Sequence, residues 1–156
     1  MRTNLKRLVG ASVVTSAMLA VGMVSPASAQ ATRTQFTGTE TVTFTGPPAR
    51  QWVSDGITHL RGVPIDSTLS GDLNGAFTIE ANINVNASGD GSLYGTFTFT
   101  SGEVTWTGHF GGTLSGGLVT VHFTGQGSDG STLVASGVDS SPGVSTDTGF
   151  IVYPNG

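Results

Sequence analysis

Glu40 is the residue whose position most invites chemistry. In 35–45 the even positions are Phe36, Gly38, Glu40, Val42 and Phe44, and the odd positions are Gln35 followed by Thr37, Thr39, Thr41, Thr43 and Thr45. A period of two sets one wet face against one buried face, as in a half-buried strand. Glu40 falls on the apolar side, where a carboxyl costs several kcal/mol unless it is paired, protonated or hydrated. A second segment, 57–63, carries Ile57, His59, Arg61 and Val63 on one face and Thr58, Leu60 and Gly62 on the other. If the first of these faces points inward, His59 and Arg61 join Glu40 in one interior. Such a cluster could orient the polar head of a ligand, or perform acid–base work with a raised carboxyl pKa. Two plainer readings stand beside it. One is an ion pair, buried or at a rim, that fixes strand register. The other is a bulge that turns Glu40 to water. Glu40, His59, Arg61 and Trp106 are the candidate ligand-binding residues.

Other chemistry finds less support. His109 and His122 fall on threonine-rich faces and share no ligand spacing, so no metal site is expected. The stretch 125–133, Gly-Gln-Gly-Ser-Asp-Gly-Ser-Thr-Leu, partly matches the calcium nonapeptide of β-rolls, but a single copy lacks the neighbouring turns between which such calcium is held. A lone Asp-Gly loop leaves weak calcium binding or a plain hairpin turn as its readings. No Gly-x-Ser-x-Gly elbow precedes a helix, and the absence of cysteine removes a thiol nucleophile, disulfides and Cys-ligated metal. Trp52, Tyr94, Trp106 and Tyr153 could line a sugar-binding face or simply pack. No cofactor is implied.

The elements that would position these residues are strands. Of 156 residues, 1–29 read as a secretory signal peptide: Arg2, Lys6 and Arg7, an apolar run over 8–24, Pro26, then Ala27-Ser28-Ala29 before a cut at Gln30. The expected mature domain, 30–156, holds three arginines and no lysine against ten acidic residues, a net charge near −7. That balance argues against nucleic acid and anionic membrane surfaces as partners. No later segment is apolar enough to insert in a membrane as a helix. Glycine and threonine dominate, and all twelve aromatics lie in this part. Threonine suits pleated surfaces, and glycine suits turns and bends. Alternation marks strands over 35–45, 57–63, 93–100, 104–114, 118–124, 132–137 and 149–153. The long stretch 68–86 needs a bend at Gly71 or Gly75. Asp55-Gly56, Asp90-Gly91, Asp129-Gly130, Ser101-Gly102 and Gly116-Gly117 read as tight turns, and Pro47-Pro48 as a loop. The expectation is an all-β domain, an antiparallel up-and-down barrel of about eight strands, with a β-sandwich as the alternative.

The run Trp52-Val53, His59-Leu60-Arg61-Gly62, Ser70-Gly71-Asp72-Leu73-Asn74-Gly75, Gly95-Thr96-Phe97 and Trp106-Thr107-Gly108-His109-Phe110-Gly111-Gly112 resembles small secreted bacterial proteins with an allene-oxide-cyclase-like barrel, and more widely calycin-like and dirigent-like barrels. The resemblance implies an eight-stranded barrel, an apolar cavity and a tendency to form homo-oligomers; it carries over no catalytic residue. Three functions follow as expectations for an extracellular protein. The first is binding of a small apolar or amphipathic ligand in the barrel interior. The second is an isomerase or cyclase that uses Glu40. The third is a structural or adhesive protein with a filled core.

Overall fold

The computed structural model describes residues 31–141 and 143–154. The expected signal peptide and its cleavage site lie outside the described residues. The described chain is nine strands: β1 (Thr32–Phe44), β2 (Arg50–Ser54), β3 (Ile57–Gly71), β4 (Gly75–Asn86), β5 (Gly91–Ser101), β6 (Val104–Ser115), β7 (Leu118–Gly127), β8 (Thr132–Ser141) and β9 (Val144–Tyr153). From β2 to β9 each strand pairs antiparallel with the next. β1 then pairs with β9 on one side and with the second half of β3 on the other. β1 and β3–β9 thus close an eight-stranded antiparallel barrel, with β2 as an extra short strand along the first half of β3. The up-and-down barrel is the fold found, and the sandwich is not.

The alternation that predicted the strands also sets what lies inside. Phe36 and Glu40 of β1, Val63, Ile65, Ser67 and Leu69 of β3, and Phe77, Ile79 and Ala81 of β4 are buried, while the threonines between them face out. The turn chemistry follows the sequence in most places. Asp55 and Gly56 both take positive φ (50° and 75°), as do Gly116 and Gly117 (59° and 82°), which is what two-residue hairpin turns require. Asp90-Gly91 is different: the turn centres on Ala87, Ser88 and Gly89, and Asn86 Oδ1 accepts from the Ser88 and Asp90 amides. Gly91 is already in the ladder, where a Cβ would stand 1.9 Å from the Asn84 carbonyl oxygen.

Several boundaries differ from the sequence expectation, among them the end of β8, at Ser141 against a predicted 137. The stretch 68–86 divides at Asp72-Leu73-Asn74 into the end of β3 and the start of β4, so 57–63 and 68–71 belong to one strand. β2 forms after the Pro47-Pro48 loop, where no strand was expected. β9 begins at Val144, five residues before the predicted start.

A bulge in β3 decides the most consequential difference. Leu60 is opposite Ile83 and Val63 is opposite Ala81, so Arg61 and Gly62 together span one place on β4. Gly62 takes φ 62°. An extra residue reverses the phase of everything before it. Leu60 and Val63 therefore both face inward, and His59 and Arg61 face outward. The expected interior cluster of Glu40 with His59 and Arg61 is not formed.

The two ends of the barrel are built differently. At the end carrying the β3–β4, β5–β6 and β7–β8 turns, aromatic side chains fill the lumen. Phe77 stacks on Phe99 at 4.2 Å between ring centroids, Phe99 on Trp106 at 5.7 Å, and Phe97 meets Phe123 edge-on at 5.3 Å. Phe110 extends the set through Phe123 at 5.6 Å. The other end, ringed by the β2–β3, β4–β5, β6–β7 and β8–β9 turns, is open. There Phe44, in phase with the interior, stands 64% exposed at the rim. Its strand runs past the packed part of the lumen, so inward phase does not bring burial.

Truncation should separate these two kinds of inward residue. Phe97→Ala is expected to lower unfolding stability by about 3–5 kcal/mol, the range for emptying an aromatic site in a core. Phe44→Ala should cost well under half of that. Urea unfolding of the two variants measures both, and equal losses would contradict the picture of a filled end and an open end.

Candidate functional site

Below the open rim, where the aromatic filling stops, lies a cavity of about 140 Å³. One wall is apolar and comes from β4 to β7: Ile79, Ile83, Leu93, Phe110, Val121 and Phe123. The facing wall is polar and comes from β1, β9 and β8. Glu40 is opposite Ser145, and Ser145 is opposite Asp139, so these three form one row across adjacent strands. All three line the cavity, with Val42 and Phe44 above them on β1.

Asp147 lies one step deeper, between Gly38 of β1 and Gly137 of β8. Gly137 makes the space. A Cβ on Gly137 would stand 2.5 Å from Asp147 Oδ1 and 2.9 Å from Ser145 Oγ. Ser145 Oγ donates to Asp147 Oδ1 at 2.7 Å, and Ser67 Oγ donates to Glu40 Oε1. Glu40 and Asp147 are also hydrogen-bonded to each other. Both carboxyls are almost wholly removed from solvent, at 3% and 2% exposure.

Burial, and after it the charge of Asp147, pushes the Glu40 carboxyl up to about 8; Asp139 adds to the same effect, and the Ser67 bond opposes it. Burial also raises Asp147, against the bonds from Ser145 and Glu40. Two like charges this close in a low-dielectric interior cannot both ionise cheaply. At neutral pH Glu40 keeps its proton and donates it to Asp147. The arrangement is a carboxylic acid backed by a second carboxyl, next to an apolar space. It can hydrogen-bond a polar group, supply a proton or receive a cation.

The other candidate residues lie elsewhere. His59 is on the outer face, stacked on Trp52 at 4.9 Å, with Nδ1 2.8 Å from Asn84 Oδ1 and Nε2 3.1 Å from Ser54 Oγ. Asn84 Oδ1 only accepts, so a neutral His59 carries its proton on Nδ1. Arg61 donates through Nη1 to the carbonyl oxygens of Leu60 and Ile83, and through Nη2 to Asn84 Oδ1. These bonds bind β3 to β4 beside the bulge, which is a structural task. Trp106 is buried in the filled end, where its Nε1 donates to Ser131 Oγ at 2.9 Å. It does not line the cavity. Of the four candidates, only Glu40 does.

The Asp129 loop is occupied by its own bonds. Asp129 Oδ1 accepts from the Ser131 amide at 3.0 Å and from Ser131 Oγ at 2.5 Å, and the Ser131 hydroxyl, then the amide, lowers its pKa. His122 pairs with Ser136 on the outer face. Among the described residues no three His, Cys, Asp or Glu side chains come together to hold a metal ion.

Asp147, Ser67, Ser145 and Asp139 were not singled out from the sequence. A signal for the β9 pair existed. Ser145, Asp147, Gly149 and Ile151 alternate with Thr146, Thr148 and Phe150. Extending the last strand back to Val144 puts Ser145 and Asp147 on the inner face.

The raised pair fixes a direction for stability against pH. The folded barrel holds a proton on Glu40 up to about pH 8, whereas the unfolded chain releases it near the ordinary 4.5. The contribution of this pair is therefore fully present below pH 4.5, falls as pH rises, and levels off above 8. A decrease of several kcal/mol is expected for the wild-type protein between pH 5 and 8. Glu40→Gln removes the titrating group and should flatten that slope. Urea midpoints across this range measure it, and parallel slopes for the two proteins would refute the assignment.

No protein-family profile, curated protein or solved structure matches this chain.

Proposed function

We propose that this protein is an extracellular carrier that binds a small apolar or amphipathic molecule in the open end of its barrel. The observation that carries the reading is the division of the lumen: aromatics fill one end, and the other keeps an apolar cavity with a polar wall. An eight-stranded barrel has room either to fill its interior or to hold one small ligand, and this one does half of each. Three features support the reading. Phe44 stands exposed at the rim. Inward glycines thin the wall beside Asp147. The composition of 1–29 suits an exported protein.

The volume sets the size. A cavity of about 150 Å³ accommodates a benzene-sized group, and this one is about 140 Å³. The buried part of the ligand is therefore one ring or a short branched chain. Anything longer runs out across the rim past Phe44.

A second reading has one specific observation in its favour. A carboxyl still protonated at neutral pH, facing an apolar space, is placed as a general acid for an isomerase or cyclase. It shares the cavity with the first reading and differs in requiring turnover of whatever binds there.

Filling the cavity tests both. Val121→Phe adds bulk to the apolar wall without adding a polar atom. Benzyl alcohol binding, followed by calorimetry or by ligand-detected NMR, is expected in the wild-type protein and should weaken by about tenfold or more in the variant. Equal binding by the two proteins would place the site elsewhere. Absence of binding in the wild type at millimolar ligand would leave the filled-core, structural function as the better account.

A further inference from the structure

We propose that the molecule seated in the open end carries an amine, its ammonium group lying against Glu40 and Asp139 and its apolar part between Ile79, Ile83, Leu93 and Phe110. This inference rests on the carrier reading above and names the chemical class of its ligand.

The cavity supplies the first half of the argument. It is a gap in the lumen, lined on one side by aliphatic and aromatic side chains, and it opens toward an exposed phenylalanine. An apolar group fits there whatever the facing wall contains. The facing wall supplies the second half. Its titratable groups are all acidic: Glu40 from β1 and Asp139 from β8 on the lining, with Asp147 from β9 directly behind. From β3, the group that meets Glu40 is the Ser67 hydroxyl.

No basic side chain enters the lumen among the described residues. Arg33 lies over the Phe150 ring at 3.5 Å, and Arg50 and Arg61 lie over Trp52 at 5.6 and 5.1 Å, all on the outer face. The titratable groups described on the cavity wall are thus one-signed, and a cation is the ligand charge that matches them. A ligand carboxylate would add a further like charge and is disfavoured. An alcohol or ketone would gain a neutral hydrogen bond. An ammonium gains charge-assisted bonds, which are roughly twice as strong, and offsets the negative charge that the Glu40–Asp147 pair carries.

Binding of an ammonium also moves a proton. Free protein at pH 7 holds one proton on the Glu40–Asp147 pair. The bound cation favours the doubly ionised pair, so the proton leaves to the buffer as the ion pair forms. The ligand remains protonated throughout, and charge is conserved.

Three probes of equal size separate the possibilities: benzylamine, benzyl alcohol and benzoate, titrated into the protein at pH 7. The inference expects benzylamine to bind about tenfold tighter than benzyl alcohol, or more, with benzoate weakest. In two buffers of different ionisation enthalpy, the benzylamine heats should differ by the equivalent of about one proton released and the benzyl alcohol heats should not. Glu40→Gln should reduce the preference for benzylamine over benzyl alcohol to a few-fold. Should that variant fail to fold, the wild-type ratio and the proton count decide alone. Benzyl alcohol or benzoate bound as tightly as benzylamine would overturn the amine assignment and leave the carrier reading in place. Failure of all three to bind would overturn both.

Discussion

The seam between β1 and β3 is the contact on which the rest of the molecule depends. β1 must leave β9 on one side and meet β3 on the other, over the seven pairs from Gly38↔Gly71 to Phe44↔Ile65. At the filled end the seam is pinned by Asp72, whose Oδ2 accepts from the Thr37 amide at 3.0 Å and from Thr37 Oγ1 at 2.8 Å. The Asp72 amide returns a bond to the Thr37 carbonyl. Gly71 must be glycine for the strands to approach so closely: its φ is 149°, and a Cβ would stand 2.5 Å from the Thr37 oxygen. Without this ladder the sheet is open, Glu40 faces water, and there is neither cavity nor raised carboxyl.

The bulge at Arg61-Gly62 is the second constraint, and it follows from the first. β3 serves two partners on the same edge, β1 along its second half and β2 along its first. The extra residue lets the strand bend away from the barrel and carry the β2–β3 hairpin beyond the rim. The same bend rotates His59 and Arg61 to the outer face, where Trp52, Asn84 and Tyr94 surround them. A polar group the bulge had left inside would face a wall already rich in carboxyls. Outside, Arg61 instead meets the carbonyls of Leu60 and Ile83.

These two features mark where the sequence can be read and where it cannot. The threonine-against-apolar alternation was enough to give the barrel strands and most of their inner face, though not the short β2, because a period of two is a local property. Glu40 could be placed inside for the same reason. The partners of Glu40 could not, since Asp147 and Ser67 reach it from strands far away in the chain, through a register no local pattern encodes. The phase of 57–63 failed for a related cause. Ile57, His59, Arg61 and Val63 alternate correctly on paper, and nothing within that segment shows that Gly62 adopts positive φ. A glycine inside a strand is the one hint, and it is a weak one in a chain with 24 glycines. Trp106 misled in the opposite way. An aromatic at strand spacing reads equally as a barrel mouth or a barrel core; Trp106 lies at the filled end, where its Nε1 donates to Ser131 of another loop.

The placement of the acidic pair is best understood against what a merely stable barrel would contain. Positions 40 and 147 face an interior in which leucine or valine would pack, and a hydrophobic replacement of a buried polar group is often neutral or stabilising. Instead the chain keeps two carboxyls there, makes space for one of them with Gly137, and supplies Ser67 and Ser145 to satisfy their oxygens. Three inward positions around one pair of acids are a large commitment for an eight-stranded lumen. A register-fixing device would need only one such bond, and it could sit anywhere along the seam. This one borders a part of the lumen that side chains leave unfilled, and that coincidence of polarity with empty space is the physical argument for a binding site over a structural ornament.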